Sequence, residues 1–111
     1  MHYTYVLLSQ QDGCWYTGAT GDLRKRLREH ASGNVRSTVR RAPLELVYYE
    51  ACIERDDALR RERFLKTGKG KRYLKNRLRQ FLVNRRSKSR SSSQPTSLNR
   101  QQLERDKLER Y

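Results

Sequence analysis

Five side chains in this 111-residue sequence suit phosphate-ester chemistry: Tyr5, Tyr16, Arg26, His30 and Glu62. Phosphodiester hydrolysis needs a deprotonated water, a cation to hold the scissile phosphate, and a way to stabilise the leaving oxygen. Arginine offers a fixed fork of donors matched to phosphate oxygens. A single glutamate with several waters is a common way to hold Mg²⁺. A phenol ordinarily titrates near about 10, so it acts as a base only where adjacent cations lower that value. Singly, each residue has an ordinary structural reading. The tyrosines suit strands, Arg26 suits a solvated basic face, and His30 suits a helix C-terminus. Glu62 can pair along its own helix, with Lys66 at i+4 the best-placed partner. The functional reading rests on their combination and order.

The surrounding sequence supplies elements to position them. Tyr3 to Ser9 reads as a strand, Asp12-Gly13 as a turn, and Cys14 to Gly18 as a second extended run. Together they predict an antiparallel hairpin, which lets Tyr5 and Tyr16 neighbour one another across the ladder. Gly18 and Gly21 flank a tight connection. Asp22 is a candidate N-cap for a helix to about His30, ending near Gly33. Leu23 and Leu27 form its buried stripe, and Arg26 and His30 share a neighbouring face.

Asn34 to Pro43 is a basic loop, and Leu44 to Cys52 is a third strand. Asp56 is expected to cap a second helix with Ala58, Leu59, Phe64 and Leu65 in the core and Gly68 as terminator. From Gly70 a third helix follows, with Leu74, Leu78, Phe81 and Leu82 at helical spacing. The expected fold is therefore α+β, with a small three-stranded antiparallel or mixed sheet flanked by helices in the order β-β-α-β-α-α. The domain is expected to span residues 1–83. Residues 84–111 form a basic, Ser/Arg-rich tail expected to be largely disordered.

Composition narrows the partners. The formal net charge is +14 with a pI of about 10.5, of which residues 1–83 carry +9 and residues 84–111 carry +5. Both segments therefore call for an anionic partner. Nucleic acid fits better than a membrane surface, because no helix shows an interfacial apolar face. No apolar run approaches the roughly 18–20 residues a membrane span needs. The start lacks a basic n-region and a cleavage site, so no signal peptide is read and a cytoplasmic location is expected. Cys14 and Cys52 are far apart and only two histidines exist. The roughly four close ligands of a zinc site are missing, so two reduced thiols are expected.

The sequence resembles a known family. YTY at Tyr3 to Tyr5, followed after one hairpin by YTG at Tyr16 to Gly18, looks like the paired motif of the GIY-YIG endonucleases. TGDLRKRLREH, Thr20 to His30, is similar to the family's arginine-bearing helix. DDALRRERFLKTGKGKRYLKNRL, Asp56 to Leu78, resembles the small stand-alone members. The resemblance covers roughly residues 3–80, and it extends to the nuclease domain of the excision-repair excinuclease. It departs at Tyr3 and Thr17, which replace a Gly and an Ile. It departs also at Ala19, which replaces a Lys of the excision-repair nucleases.

The resemblance implies roles. Tyr16 is the expected general base, with Tyr5 supporting it or orienting the phosphate. Arg26 would stabilise developing charge, His30 would transfer or share a proton, and Glu62 would hold one Mg²⁺ or Mn²⁺ ion. Arg24, Lys25, Arg36, Arg40, Arg41, Lys69, Lys71 and Asn76 are candidate nucleic-acid contacts. The expected function is metal-dependent cleavage of DNA, in repair or in processing of structured DNA, with RNA also open. A non-catalytic nucleic-acid-binding module on the same fold is the alternative. A third reading is an adaptor whose tail docks an acidic partner or RNA. Related nucleases often borrow target recognition from another domain, so a protein partner supplying it is expected; the oligomeric state is left open.

Overall fold

A computed structural model describes the backbone of residues 1–90 and the side chains of residues 1–86. β1 (His2–Ser9) and β2 (Trp15–Thr20) form the hairpin; α1 (Leu23–Ala31), β3 (Leu44–Cys52), α2 (Arg55–Leu65), α3 (Gly68–Arg77) and α4 (Arg79–Arg90) follow. The fold is α+β, and its three-stranded antiparallel sheet has the order β2-β1-β3. The expected class and element order hold, with one helix more.

The central strand is the most apolar, and alternation along it builds two cores on opposite faces. On one face Tyr5 and Leu7 pack with Leu23 and Leu27 of α1 and with Leu44. On the other, Val6 packs with Leu65 of α2 and Leu74 of α3. The Thr4 hydroxyl donates to the Ala58 carbonyl at 2.9 Å, tying α2 to that same face. Helix α1 begins as expected, with the Asp22 carboxylate accepting from Lys25 N–H at 3.1 Å. Just beyond α1, Gly33 adopts φ +79°, the left-handed conformation that favours glycine after a helix.

Three local expectations change. Glu54, not Asp56, occupies the N-cap of α2, and its side chain makes no capping bond. Asp56 lies in the first turn, where its charge still complements the helix dipole. Gly68 does not terminate α2, which stops at Leu65. It opens α3, because the Thr67 hydroxyl accepts from Gly70 N–H and starts a new helix. The single third helix expected from Gly70 onward is divided at Leu78 into α3 and α4.

Gly70 permits the sharp α2–α3 corner, since a Cβ there would lie 2.0 Å from the Phe64 carbonyl oxygen. Helix α4 runs through the boundary expected at residue 83, and Arg85 Nη1 donates to the Glu45 carboxylate of β3 at 2.5 Å. The rest of the expected tail, residues 91–111, lies outside the described residues.

Candidate active site

β2 is an edge strand, and a cleft of about 440 Å³ opens along it. Arg26 and His30 of α1 line the cleft, with Ser37 and Thr38 of the following loop. Glu62 and Leu65 of α2, then Lys66, and Lys71 and Leu74 of α3 line it too. β2 contributes Trp15 to Ala19, and Tyr5 reaches in from β1. The cleft thus gathers groups from both faces of the sheet around one exposed edge.

Register sets the position of Tyr5. It lies opposite Gly18, and Gly18 has no side chain to occupy the space. A Cβ at Gly18 would stand 2.5 Å from the Tyr5 hydroxyl oxygen, so the ring lies directly over the glycine. The Tyr5 hydroxyl then meets His30 Nε2 at 2.8 Å and accepts from Arg26 Nε at 3.4 Å. His30 Nδ1 lies 2.7 Å from the Thr38 hydroxyl. Arg26 and His30 stand one helical turn apart, so the backbone of α1 aims both at one phenol. Arg26 is further held by Glu29 at 2.9 Å.

Burial dominates the electrostatics. It raises the Tyr5 phenol above its ordinary value, with the Arg26 guanidinium pulling the other way. It lowers His30 to about 4, and the charge of Arg26 adds to the effect. Near neutral pH, therefore, His30 is neutral, with one donor and one acceptor nitrogen. The two neighbours of His30 accordingly face an uncharged ring.

Tyr16 is placed differently. It lies opposite Leu7, on the same face as Tyr5, and packs against the core beneath α1. Its hydroxyl donates to the Asp12 carboxylate at 2.8 Å, and that bond raises the phenol. Asp12 is also 3.5 Å from Arg41. Backbone donation from Cys14 holds the Asp12 carboxyl below its usual range. The two tyrosines thus share a face, while their hydroxyls join different networks.

Glu62 lines the cleft and is about one-fifth exposed, paired with Lys66 Nζ at 3.3 Å as the i+4 spacing suggested. Among the described residues no three His, Cys, Asp or Glu side chains cluster around a metal position. A hard cation here would therefore depend on one carboxylate, waters and substrate oxygens, an arrangement that suits Mg²⁺. A cation at Glu62 would have to displace the Lys66 ammonium, which is exposed.

Of the expected nucleic-acid contacts, Lys71 lines the cleft. Arg24, Lys25, Arg36, Arg40, Arg41, Lys69 and Asn76 are exposed and do not line it. Thr38, Asp12 and Gly18 belong to the site's networks and were not singled out as site residues in the sequence. Thr38 sits in a polar loop with no periodicity to mark it. Asp12 reads only as a turn residue.

This fold and cleft define a small α+β domain in which Tyr5, Arg26, His30 and Glu62 line one cleft along an edge strand. The chain belongs to the GIY-YIG family of nuclease domains: the family's catalytic-domain model matches residues 1–74. It is 42% identical over 62 residues to UPF0213 protein BH0048 of Halalkalibacterium halodurans, covering 55% of this chain and 65% of that relative. It is 37% identical over 75 residues to UPF0213 protein SSP2268 of Staphylococcus saprophyticus, covering 67% of this chain and 90% of the relative. The solution NMR structure of UPF0213 protein BH0048 from Bacillus halodurans is similar at 38% identity and a TM-score of 0.43, covering 66% of this chain and 80% of that one. These names state no activity. Among the described residues no helix is long and apolar enough to cross a membrane.

Proposed function

We propose that this chain is a divalent-metal-dependent DNA endonuclease whose reaction takes place in the cleft along β2. The observation that carries the reading is the convergence of Tyr5, Arg26, His30 and Glu62 on one cleft from three separate elements. Arg26 holds the scissile phosphate. The bonds to Tyr5 and Glu29 orient its guanidinium and leave further donors for phosphate oxygens. Glu62 would hold one Mg²⁺ or Mn²⁺ ion, which when bound supplies positive charge for the phosphate and the leaving oxygen.

The proton-accepting role expected at Tyr16 is assigned here to Tyr5. The Tyr5 hydroxyl touches both Arg26 and His30, whereas the Tyr16 hydroxyl is engaged by Asp12. The attacking water forms a new P–O bond as it passes a proton to the Tyr5 oxygen, while the bond to the leaving oxygen breaks and that oxygen takes a proton from solvent. Tyr5 in turn passes its own phenolic proton to the neutral His30, so the phenol relays a proton without first ionising and its raised value does not bar the step. Arg26 favours electron density on the phenol oxygen throughout. Lys71 in the cleft and the exposed basic residues elsewhere on the surface neutralise flanking phosphates.

A cytoplasmic location and a role in repair or in processing structured DNA fit this reading, as does a partner that supplies target recognition. The test is a cleavage panel of duplex, nicked, branched and single-stranded DNA, with RNA alongside, in Mg²⁺, Mn²⁺ and EDTA. Metal-dependent nicking of at least one DNA substrate is expected. Tight binding with no cutting of any substrate would favour the non-catalytic module, which the +14 charge also suits.

A further inference from the structure

The loop after α1 brings one hydroxyl back onto the helix it has just left. Gly33 turns the chain with φ +79°, and Asn34 N–H donates to the Glu29 carbonyl at 2.9 Å. Thr38 N–H donates to the Val35 carbonyl at 3.1 Å, and Arg41 N–H to the Thr38 carbonyl at 2.9 Å. Val35 is buried, and Thr38 is 1% exposed. The loop is thus a fixed structure, and among the described residues the Thr38 hydroxyl has His30 Nδ1 as its one partner.

A neutral imidazole between two hydroxyls has two possible hydrogen arrangements. Either Thr38 donates to Nδ1 and Nε2–H donates to Tyr5, or Nδ1–H donates to Thr38 and Tyr5 donates to Nε2. Acidity decides between them, against the cost of leaving the buried Thr38 O–H without an acceptor among the described residues. A phenol is a far stronger acid than an aliphatic alcohol, so its proton makes the stronger bond to the basic nitrogen. An alcohol oxygen, with no ring to delocalise its lone pair, is the better acceptor. The second arrangement also makes one continuous chain, Arg26 N–H to Tyr5, Tyr5 O–H to His30, and His30 N–H to Thr38. Each bond polarises the next in the same direction.

We propose that Thr38 is a positioning residue for this site: its hydroxyl accepts from His30 Nδ1–H and fixes the tautomer in which Nε2 accepts the Tyr5 phenolic proton. The assignment of a proton-accepting function to Nε2 rests on the nuclease reading above. The tautomer itself does not. Free neutral histidine prefers the Nε2–H form, so an Nδ1–H ring is a signature that a specific partner has imposed. Thr38 acts only through His30.

The experiment is nitrogen-15 NMR of the histidine rings in the full chain near pH 7.5. His2→Gln removes the other histidine, so the remaining ring signals belong to His30. The Nδ1–H pattern is expected in this background and on addition of Thr38→Ser. Thr38→Val, which keeps the shape and removes the hydroxyl, is expected to move His30 toward the Nε2–H form. An Nε2–H pattern without any Thr38 change would overturn the proposal, and so would an unchanged Nδ1–H pattern in folded Thr38→Val. If Thr38→Val does not fold, the pattern of the parent chain and of Thr38→Ser still decides. In cleavage assays Thr38→Val should lower kcat by about tenfold with KM little changed, and Thr38→Ser should restore it. A chain with the Nδ1–H pattern but no cleavage of any DNA would refute the nuclease reading and leave the tautomer assignment standing.

Discussion

At Gly18 a hydrogen is all that fits beneath Tyr5, since a Cβ would stand 2.5 Å from the phenol oxygen. Gly18→Ala should therefore displace the Tyr5 hydroxyl from Arg26 and His30 and lower cleavage at least about a hundredfold, the scale of a lost proton-transfer group. Thermal unfolding should show the variant still folded. Retention of full activity in folded Gly18→Ala would contradict the placement of Tyr5. Burial has a second consequence at His30. Its titration near 4 lies below the ordinary histidine value of about 6.5, so the unfolded chain binds the proton first. The stabilisation is complete above the unfolded value and is lost as pH falls through the folded one, to a total of roughly 3 kcal/mol. Urea midpoints between pH 7.5 and 4 should fall more steeply for the wild-type chain than for His30→Gln. Parallel curves would mean that His30 titrates normally. His30 also sets a pH dependence in rate, in the same direction. The relay needs a neutral His30 and a protonated Tyr5, so log kcat should rise as His30 loses its proton near 4 and stay level through neutral pH, and a unit-slope climb from about pH 7 to 9 would contradict the relay.

The elements explain why some of this was legible in the sequence and some was not. The three strands and α1 follow local signals: a short run of aromatic, β-branched and apolar residues on β1, a turn at Asp12-Gly13, and Asp22 capping α1. Arg26 and His30 could be paired from their four-residue spacing, which helix geometry turns into a shared direction. The α2–α3 corner was misread because glycine commonly ends helices. At Gly68 the capping hydroxyl of Thr67 wins, and the close approach at Gly70 holds the corner. Gly70→Ala should consequently destabilise the domain by several kcal/mol, with backbone at 2.0 Å and no flexible side chain to yield. Chemical denaturation measures this, and a shift below about 1 kcal/mol would show that the corner can open freely. Thr38 was illegible for another reason. Its contact with His30 is made by a loop returning on itself, and loops carry no periodicity that encodes such a return. Tyr16 was only partly legible: register gives its face, but not that Asp12 holds its hydroxyl.

At the scale of the whole molecule, charge and topology act together. A net charge of +14 spread over both segments favours association with a polyanion, and Arg26, Lys66 and Lys71 bring cationic groups into the edge-strand cleft itself. Charge supplies affinity, while the cleft supplies the groups that distinguish cutting from holding. These contributions can be separated at one residue, because Glu62 is anionic in a cationic cleft and should not help bind a phosphate backbone. The decisive measurement is cleavage and binding of the same DNA by wild type and Glu62→Gln, each with and without Mg²⁺. We expect Glu62→Gln to bind the DNA at least as tightly as wild type, and to lose Mg²⁺-dependent cleavage by at least about a hundredfold. Cleavage by Glu62→Gln at the wild-type rate would contradict the account.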